Sequence, residues 1–231
     1  SNVALSYCFV RFGGMGLTGV ITRATLRLRP VETSYVRVRT RRIADFDQLL
    51  DSMREETTTQ YQVAWVDCFT RGRSLLDDAI HATVADLPPR RQRNPRTYRP
   101  GRPLVAPALP GSPLRPSLVK AFNEVWWRRA PVDAERMVPF GRFFHPLDGV
   151  ADWHRLYGAG GFLQYQLVVP DCAEHLLRRF VDELPAAGAP PFLVVLKRFG
   201  DSSPAHRPDS STARRAVIPS IRNLPPITSR T

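Results

Sequence analysis

Apolar and polar residues alternate in several stretches of the chain. Residues 16–30 read GLTGVITRATLRLRP, in which apolar and β-branched residues recur at every second position. Period-two alternation of this kind predicts a half-buried strand. Shorter stretches of similar character predict further strands over residues 35–38, 61–68, 80–86, 161–170 and 192–199.

Helical spacing of apolar residues separates these strands. Asp45 is placed as an N-cap, with Gln48 as its capping-box partner, ahead of an amphipathic helix. A second helix is predicted from Ser117, and a third from Asp171 to Gly188; residues 150–157 predict a helical turn or two. The second helix is expected to bury Leu118, Phe122, Val125 and Trp126. Because strands and helices follow one another without a strict β-α-β rhythm, we predict an α+β fold, an antiparallel sheet with helices on one face.

The net charge of +12 lies in a loop and at the two ends. Residues 88–118 are rich in proline and hold seven arginines and no acidic residue, residues 202–231 hold five arginines and one aspartate, and Arg11 adds one charge. The rest of the chain, residues 13–87 and 119–201, has 20 basic and 20 acidic residues. A neutral fold with basic loops is expected to bind polyanions weakly and to release them with salt, which argues against a nucleic-acid-binding protein.

Composition also sets expectations for the loop and the ends. Residues 88–118 predict a long solvated loop, and residues 202–231 predict a disordered tail because they lack periodicity. Residues 1–12 are equally irregular. With 31 arginines and two lysines, the composition is typical of a GC-rich coding region. We hypothesise that both ends reflect a shifted reading frame.

Several functional classes find no support. No apolar run of about 18 residues and no signal-peptide pattern is present, so a cytoplasmic protein, or one peripheral to a membrane, is expected. Cys8, Cys68 and Cys172 are too scattered for a disulfide framework or a metal site. The five histidines are dispersed, and His145, in the segment FFHPLD, is the one retained as a site candidate. No catalytic base is identified.

Five ordered segments together carry a resemblance to a known family. GGMGLTGVITRAT, FFHPLD, the W-x-RLYG stretch of residues 153–158, GFLQYQLVVP and FLVVLKRFG resemble FAD-linked sugar oxidases of the vanillyl-alcohol-oxidase-like superfamily. The similarity covers about residues 13–201. It implies that residues 1–30 are the end of the first part of an FAD-binding module, with residues 1–12 atypical, and that residues 31–201 are a substrate domain.

The resemblance also implies roles for individual residues. The segment around GGMGLTGVI would lie against FAD through Gly13, Gly14, Gly16, Gly19 and Ile21. Lys197 would supply charge and hydrogen bonds to the ligand, although composition alone favours a lysine whose stem covers apolar surface. The other implied substrate-binding residues are Trp65, His145, Leu147, Trp153, Gln164, Gln166, Leu193, Val195 and Phe199.

The activity implied is oxidation of the 2′-hydroxyl of a polyprenyl-phosphate-linked ribose, with hydride passing to FAD. A short-chain reductase would then complete an epimerisation for cell-wall arabinan. Two features depart from the family: Phe144 replaces a common tyrosine, and most of the flavin-binding module is missing. Hydride transfer depends on the flavin, so we expect the chain alone to be inactive.

Three alternatives stay open. The first is a sugar-lactone or other alditol oxidase of the same superfamily, since the loops that would contact the lipid tail cannot be aligned. The second is a non-enzymatic basic protein that binds polyanions. The third is a pseudoenzyme or translation remnant. Flavin retained by the purified chain, seen as absorbance near about 450 nm, would favour the oxidases.

Overall fold

The computed structural model describes residues 19–26, 28–70, 72–98, 101–107, 114–158, 162–186, 191–198 and 215–223. The strands are β1 (Tyr35–Ile43), β2 (Tyr61–Asp67), β3 (Arg73–His81), β4 (Leu104–Val105), β5 (Asp133–Pro139), β6 (Val150–Ala151), β7 (Phe162–Pro170), β8 (Leu193–Arg198) and β9 (Arg215–Asn223). The helices are α1 (Phe46–Glu55), α2 (Pro89–Gln92), α3 (Pro116–Arg129), α4 (Phe140–Phe144) and α5 (Glu174–Ala186), with 3-10 turns at Pro146–Gly149, Trp153–Tyr157 and Asp171–Ala173.

Seven strands form one sheet in the order β5-β1-β3-β2-β8-β9-β7. Every neighbouring pair in it is antiparallel. The short strands β4 and β6 make a separate parallel pair. The fold is therefore α+β with a mostly antiparallel sheet, as predicted.

The first helix begins as its sequence indicates. The Asp45 side chain accepts a hydrogen bond of 2.9 Å from the backbone N–H of Gln48, and the Gln48 side chain accepts one of 3.1 Å from the backbone N–H of Ala44. These bonds satisfy two donors at the start of the helix. The apolar side of α1 then lies at core spacing, with Phe46, Leu49, Leu50 and Met53 buried.

The main core lies between one face of the sheet and helices α1 and α5. Even-numbered positions of β2, such as Ala64 and Val66, point into it with Leu196 of β8. Leu177 and Val181 of α5 are buried against them. We call this side the helix face and the opposite side of the sheet the open face.

Helices also pack on the open face, contrary to the prediction of helices on one face. Val36, Val38 and Ala79 form a second cluster there, covered by Phe140 and Phe143 of α4. Helix α3 lies on the same side, because its Trp127 ring contacts Arg42. Arg42 is at every second position of β1 with Val38 and Thr40, so all three side chains point to the open face. Sequence periodicity shows that a helix has an apolar side but does not show which face of the sheet it covers.

Two strand predictions near the start of the chain are wrong. Residues 19–26 and 28–30 form no strand, and Val20 and Leu28 are 88% and 83% exposed. The run at 80–86 is a strand only as far as His81, since β3 begins earlier, at Arg73. Alternation predicts that a segment can pair, whereas pairing requires a neighbouring strand with free backbone groups.

The expectation of a disordered tail does not hold for residues 215–223. They form β9, which pairs with β7 on one side and with β8 on the other. The pairing with β8 includes Ser220 and Val217 but skips Pro219 and Ile218. A proline has no N–H to donate, which accounts for a gap beside it in an interior strand. The remaining residues of the predicted tail lie outside the described part.

The apolar stripe predicted to be buried on α3 is exposed. Leu118, Phe122, Val125 and Trp126 are each at least half exposed, and the helix buries Val119 and Asn123 instead. Directional polar contacts of Asn123 and Glu124 fix which side of α3 faces the sheet. Among the described residues, no helix is long and apolar enough to cross a membrane.

Candidate functional site

Helices α3 and α4 cover opposite ends of strand β2 on the open face. Asp67, at one end of β2, contacts α3, and Tyr61, at the other end, contacts α4. They are six positions apart along the strand, a distance of about 20 Å at about 3.3 Å per residue. The strip of open face between the two helices is called the trough below, and its floor contains Val63 and Trp65.

A buried polar cluster holds α3 at its end of the trough. The Asp67 carboxylate accepts hydrogen bonds from Arg73 Nε at 3.0 Å and from Asn123 Nδ2 at 2.9 Å. Arg73 also pairs with Glu124 at 2.7 Å, and its guanidinium lies 4.8 Å from the centre of the Trp127 ring. Asp67 is fully buried, so its charge is compensated within the protein rather than by water.

An aromatic cluster forms the opposite end. The Tyr61 ring lies edge-on to Phe144 at 4.9 Å, and His81 lies edge-on to Phe140 at 5.3 Å. A hydrogen bond of 3.0 Å joins the Tyr61 hydroxyl and His81 Nε2. Burial, together with the charge of Arg29, lowers the pKa of His81, which favours a neutral imidazole at pH 7. The structure thus gives His81 a partner that the sequence did not reveal.

Strand register brings five of the predicted substrate residues onto one face. Trp65 pairs with Val195, and Lys197 pairs with Val63. Leu193 pairs with Ile221 of β9, which pairs in turn with Gln164 of β7. Because paired residues point to the same side of an antiparallel sheet, these positions share the open face with the floor of the trough. The five are Trp65, Gln164, Leu193, Val195 and Lys197.

The five residues form a surface that is apolar with isolated polar groups. Trp65, Leu193 and Val195 are half-buried, and Gln164 and Lys197 are exposed. A mixed surface of this kind is typical of small-ligand sites. At position 166 the backbone pairs with Pro219. Phe199 lies outside the described residues.

The other predicted substrate residues lie on turns near the ends of the sheet. His145 and Leu147 are exposed in and beside the 3-10 turn that follows α4. The Trp153 ring is 5.2 Å from that of Phe162, at the start of β7, and 5.9 Å from that of Tyr157. Trp153 is therefore anchored at the β7 edge, two strands beyond β8.

Two of the five residues assigned to FAD binding can be placed. Gly19 has a positive φ of 134° with open space around its Cα, and Ile21 is 55% exposed. An exposed, Cβ-free position followed by an apolar side chain fits a surface that covers a planar ring. Gly13, Gly14 and Gly16 lie outside the described residues.

Asp77 is a site residue that the sequence did not single out. It pairs with Val63, as Lys197 does on the other side, so a carboxyl group and an ammonium group flank the floor on neighbouring strands. The Thr40 hydroxyl donates a hydrogen bond of 2.5 Å to the carboxyl. Burial raises the pKa of Asp77, and this outweighs the opposing effects of Thr40 and Arg136. A partly buried carboxyl in a strand gives no signal at the level of sequence.

Asp77→Asn is expected to stabilise the protein at pH 7. A carboxyl with a raised folded-state pKa contributes stability that is complete at low pH and is lost as pH rises through that pKa. The amide removes this loss and keeps a partner for Thr40. Urea unfolding from pH 3 to pH 7 should show a gain that disappears on acidification. Asp51→Asn, at an exposed ion pair, controls for lost surface charge. An equal gain at all pH values would contradict the assignment.

Two surface grooves lie away from the trough. One runs between α1 and α5 on the helix face, where Arg54 and Arg178 are paired with acidic residues. The other lies beside residues 93–97. Neither contains a predicted substrate residue.

Thiol chemistry is not supported at Cys68, because burial and the neighbouring Asp67 raise its pKa to about 12.

Sequence comparisons relate the chain to part of a known oxidase. No protein-family model matches the chain. Over 207 residues, the chain is 31% identical to decaprenylphosphoryl-β-D-ribose oxidase of Mycolicibacterium smegmatis, a match that covers 84% of the chain and 44% of that protein. The chain is a distant homologue of part of this oxidase. An uncharacterized protein encoded in the 5′ region of mprA in Streptomyces coelicolor is 33% identical over 210 residues, or 83% of the chain and 55% of the relative.

The chain spans about half the length of the relatives it matches. The similarity to decaprenylphosphoryl-β-D-ribose oxidase extends through more than four fifths of the chain, so it includes most of the sheet that builds the trough.

Proposed function

We propose that this chain is the substrate-binding part of an FAD-linked oxidase whose substrate is a ribose carried on a polyprenyl phosphate. The observation that supports this most is the register that brings Trp65, Val195 and Lys197 together on the trough floor. The distant homology to decaprenylphosphoryl-β-D-ribose oxidase supports the same reading.

The residues of the trough suit the parts of such a substrate. Half-buried Trp65 and Val195 offer apolar surface to a sugar ring or a flavin ring. The exposed ammonium of Lys197 suits a phosphate or a developing alkoxide. The amide of Gln164 provides both a donor and an acceptor for sugar hydroxyls. FAD, when bound, would supply the hydride acceptor, with Ile21 and the trough floor as the surfaces that this chain offers to it.

Lys197→Met is expected to weaken binding of a short-chain polyprenylphosphoryl ribose by about tenfold to hundredfold. A hydrogen bond that involves a charged group contributes roughly 1.5–3 kcal/mol, which corresponds to that range of affinity. Methionine keeps the length of the side chain and its apolar stem. Isothermal titration calorimetry on the purified chain measures the change directly.

The chain contains one other lysine, Lys120 on α3, which makes Lys120→Met a matched control for lost charge. It is expected to leave the affinity unchanged. Equal loss in both variants would indicate nonspecific charge attraction, and no binding by the wild-type chain would contradict the proposed function. Absorbance near about 450 nm after addition and removal of excess FAD reports in parallel whether flavin is retained.

A further inference from the structure

Helix α3 combines an exposed aromatic surface with exposed basic residues on the same helix. Leu118, Phe122, Val125 and Trp126 are 55%, 61%, 50% and 51% exposed. The spacing of these four residues places them on one side of the helix. The rings of Phe122 and Trp126 are stacked, 6.0 Å apart and 15° from parallel. We call these four residues the α3 stripe.

The α3 stripe is exposed because the opposite side of the helix is the one that is fixed. Asn123, Glu124 and Trp127 bind the buried cluster of Asp67 and Arg73. These contacts are directional, so rotating the helix to bury the stripe would take Asn123 from Asp67 and Glu124 from Arg73, and the buried ion pair would lose both polar partners. The arrangement holds four large apolar side chains outward on a rigid support.

The charge of α3 indicates the kind of partner that would bind the stripe. Helix α3 and its N-cap residue carry one acidic residue and four exposed basic residues, which are Arg115, Lys120, Arg128 and Arg129. The single acidic residue is Glu124, which is already paired with Arg73 and Arg128. A helix with aromatic and aliphatic residues outward, set among lysine and arginine, is the pattern of interfacial membrane binding. Anionic lipid headgroups complement the charge, and the acyl boundary accommodates Phe122 and Trp126.

We propose that the α3 stripe docks this protein on an anionic lipid surface. The helix would lie in the plane of the interface, with Phe122 and Trp126 below the headgroups and the exposed basic residues of the helix among them. Docking of this kind would hold the trough, which α3 borders, next to the membrane. The inference rests on the surface of α3 and not on the proposed oxidase activity.

The test is flotation of the purified chain with vesicles of phosphatidylcholine alone or of phosphatidylcholine mixed with phosphatidylglycerol. We expect binding to the anionic vesicles, with weaker binding as NaCl rises from about 0.1 M to about 1 M, because the Debye length falls from about 10 Å to about 3 Å. Trp126 emission should shift to the blue and be quenched by brominated acyl chains. Trp126→Phe should remove most of that signal while binding persists.

The double variant Phe122→Gln with Trp126→Gln should weaken vesicle binding by roughly tenfold or more, since two large apolar side chains no longer leave water. Both residues are on the surface, so unchanged circular dichroism should confirm the fold. Leu176→Gln is the matched control: Leu176 is 43% exposed on α5, on the helix face of the sheet, and the change should leave binding intact.

Four outcomes would overturn the proposal: no vesicle binding, equal binding to neutral and anionic vesicles, binding unaffected by the double variant, or binding to single-stranded RNA in place of vesicles. A dimer seen by light scattering and abolished by the double variant, without vesicle binding, would assign the stripe to self-association. The vesicles contain no sugar lipid and the assay needs no flavin. Failure here therefore leaves the proposed oxidase function to its own test.

Discussion

Replacing Asp67 with alanine is expected to lower the free energy of unfolding by about 3–5 kcal/mol, because it removes one partner of a buried ion pair. The Asp67 carboxylate is fully buried and accepts hydrogen bonds from Arg73, from Asn123 and from the backbone N–H of Phe69. Without it, the buried guanidinium of Arg73 keeps Glu124 alone as an acidic partner. Urea denaturation followed by far-ultraviolet circular dichroism measures the loss.

Asp182→Ala provides the comparison, because Asp182 pairs with Arg178 at the protein surface. Exposed pairs contribute up to about 1 kcal/mol, so this variant should unfold near the wild-type midpoint. Asp67→Ala should also speed hydrogen exchange in residues 116–129, since α3 loses its bond from Asn123. A loss below about 1 kcal/mol, with unchanged exchange in α3, would mean that the cluster does not hold the helix.

The second large effect is expected at the packing of α5 on the sheet. Leu177→Ala should lower the free energy of unfolding by about 2–5 kcal/mol, the range for deleting a large buried aliphatic side chain. Leu177 is fully buried in the main core. The neighbouring residue on the same helix, Leu176, is 43% exposed, so Leu176→Ala should change stability by at most about 0.5 kcal/mol.

The two leucines share residue type, helix and helix propensity, and they differ in the face they occupy. The difference between the variants therefore reports burial directly. Equal losses for Leu176→Ala and Leu177→Ala, measured by the same urea titration, would show that α5 is rotated relative to the packing described above.

Both predictions bear on the trough, although neither residue lies on its floor. Asp67 fixes α3, which forms one end, and Leu177 supports the sheet from the opposite face. A binding defect in either variant would be indirect. Binding should therefore be expressed as the fraction of folded protein that holds ligand, rather than as total bound ligand. This quantity separates the indirect effects of Asp67→Ala and Leu177→Ala from the direct effect of Lys197→Met.

Local sequence determined those elements that depend only on residues close together in the chain. The cap at Asp45 and Gln48 depends on residues within four positions of each other, and α1 begins there. The two-residue period of β2 and β8 likewise places Trp65 with Val63, and Val195 with Lys197, on single faces. Which residues of neighbouring strands lie together on the site face is known only from the register of the strands.

Tertiary structure decided which of the apolar segments found a partner. Residues 19–26 alternate like a strand yet lie unpaired, whereas residues 215–223, with a proline among them, form β9 inside the sheet. The α3 stripe has the spacing of a buried side, but the bonds to Asp67 and Arg73 turn it outward. Periodicity is a property of one segment, while burial and pairing depend on the backbone groups and charges that another segment supplies.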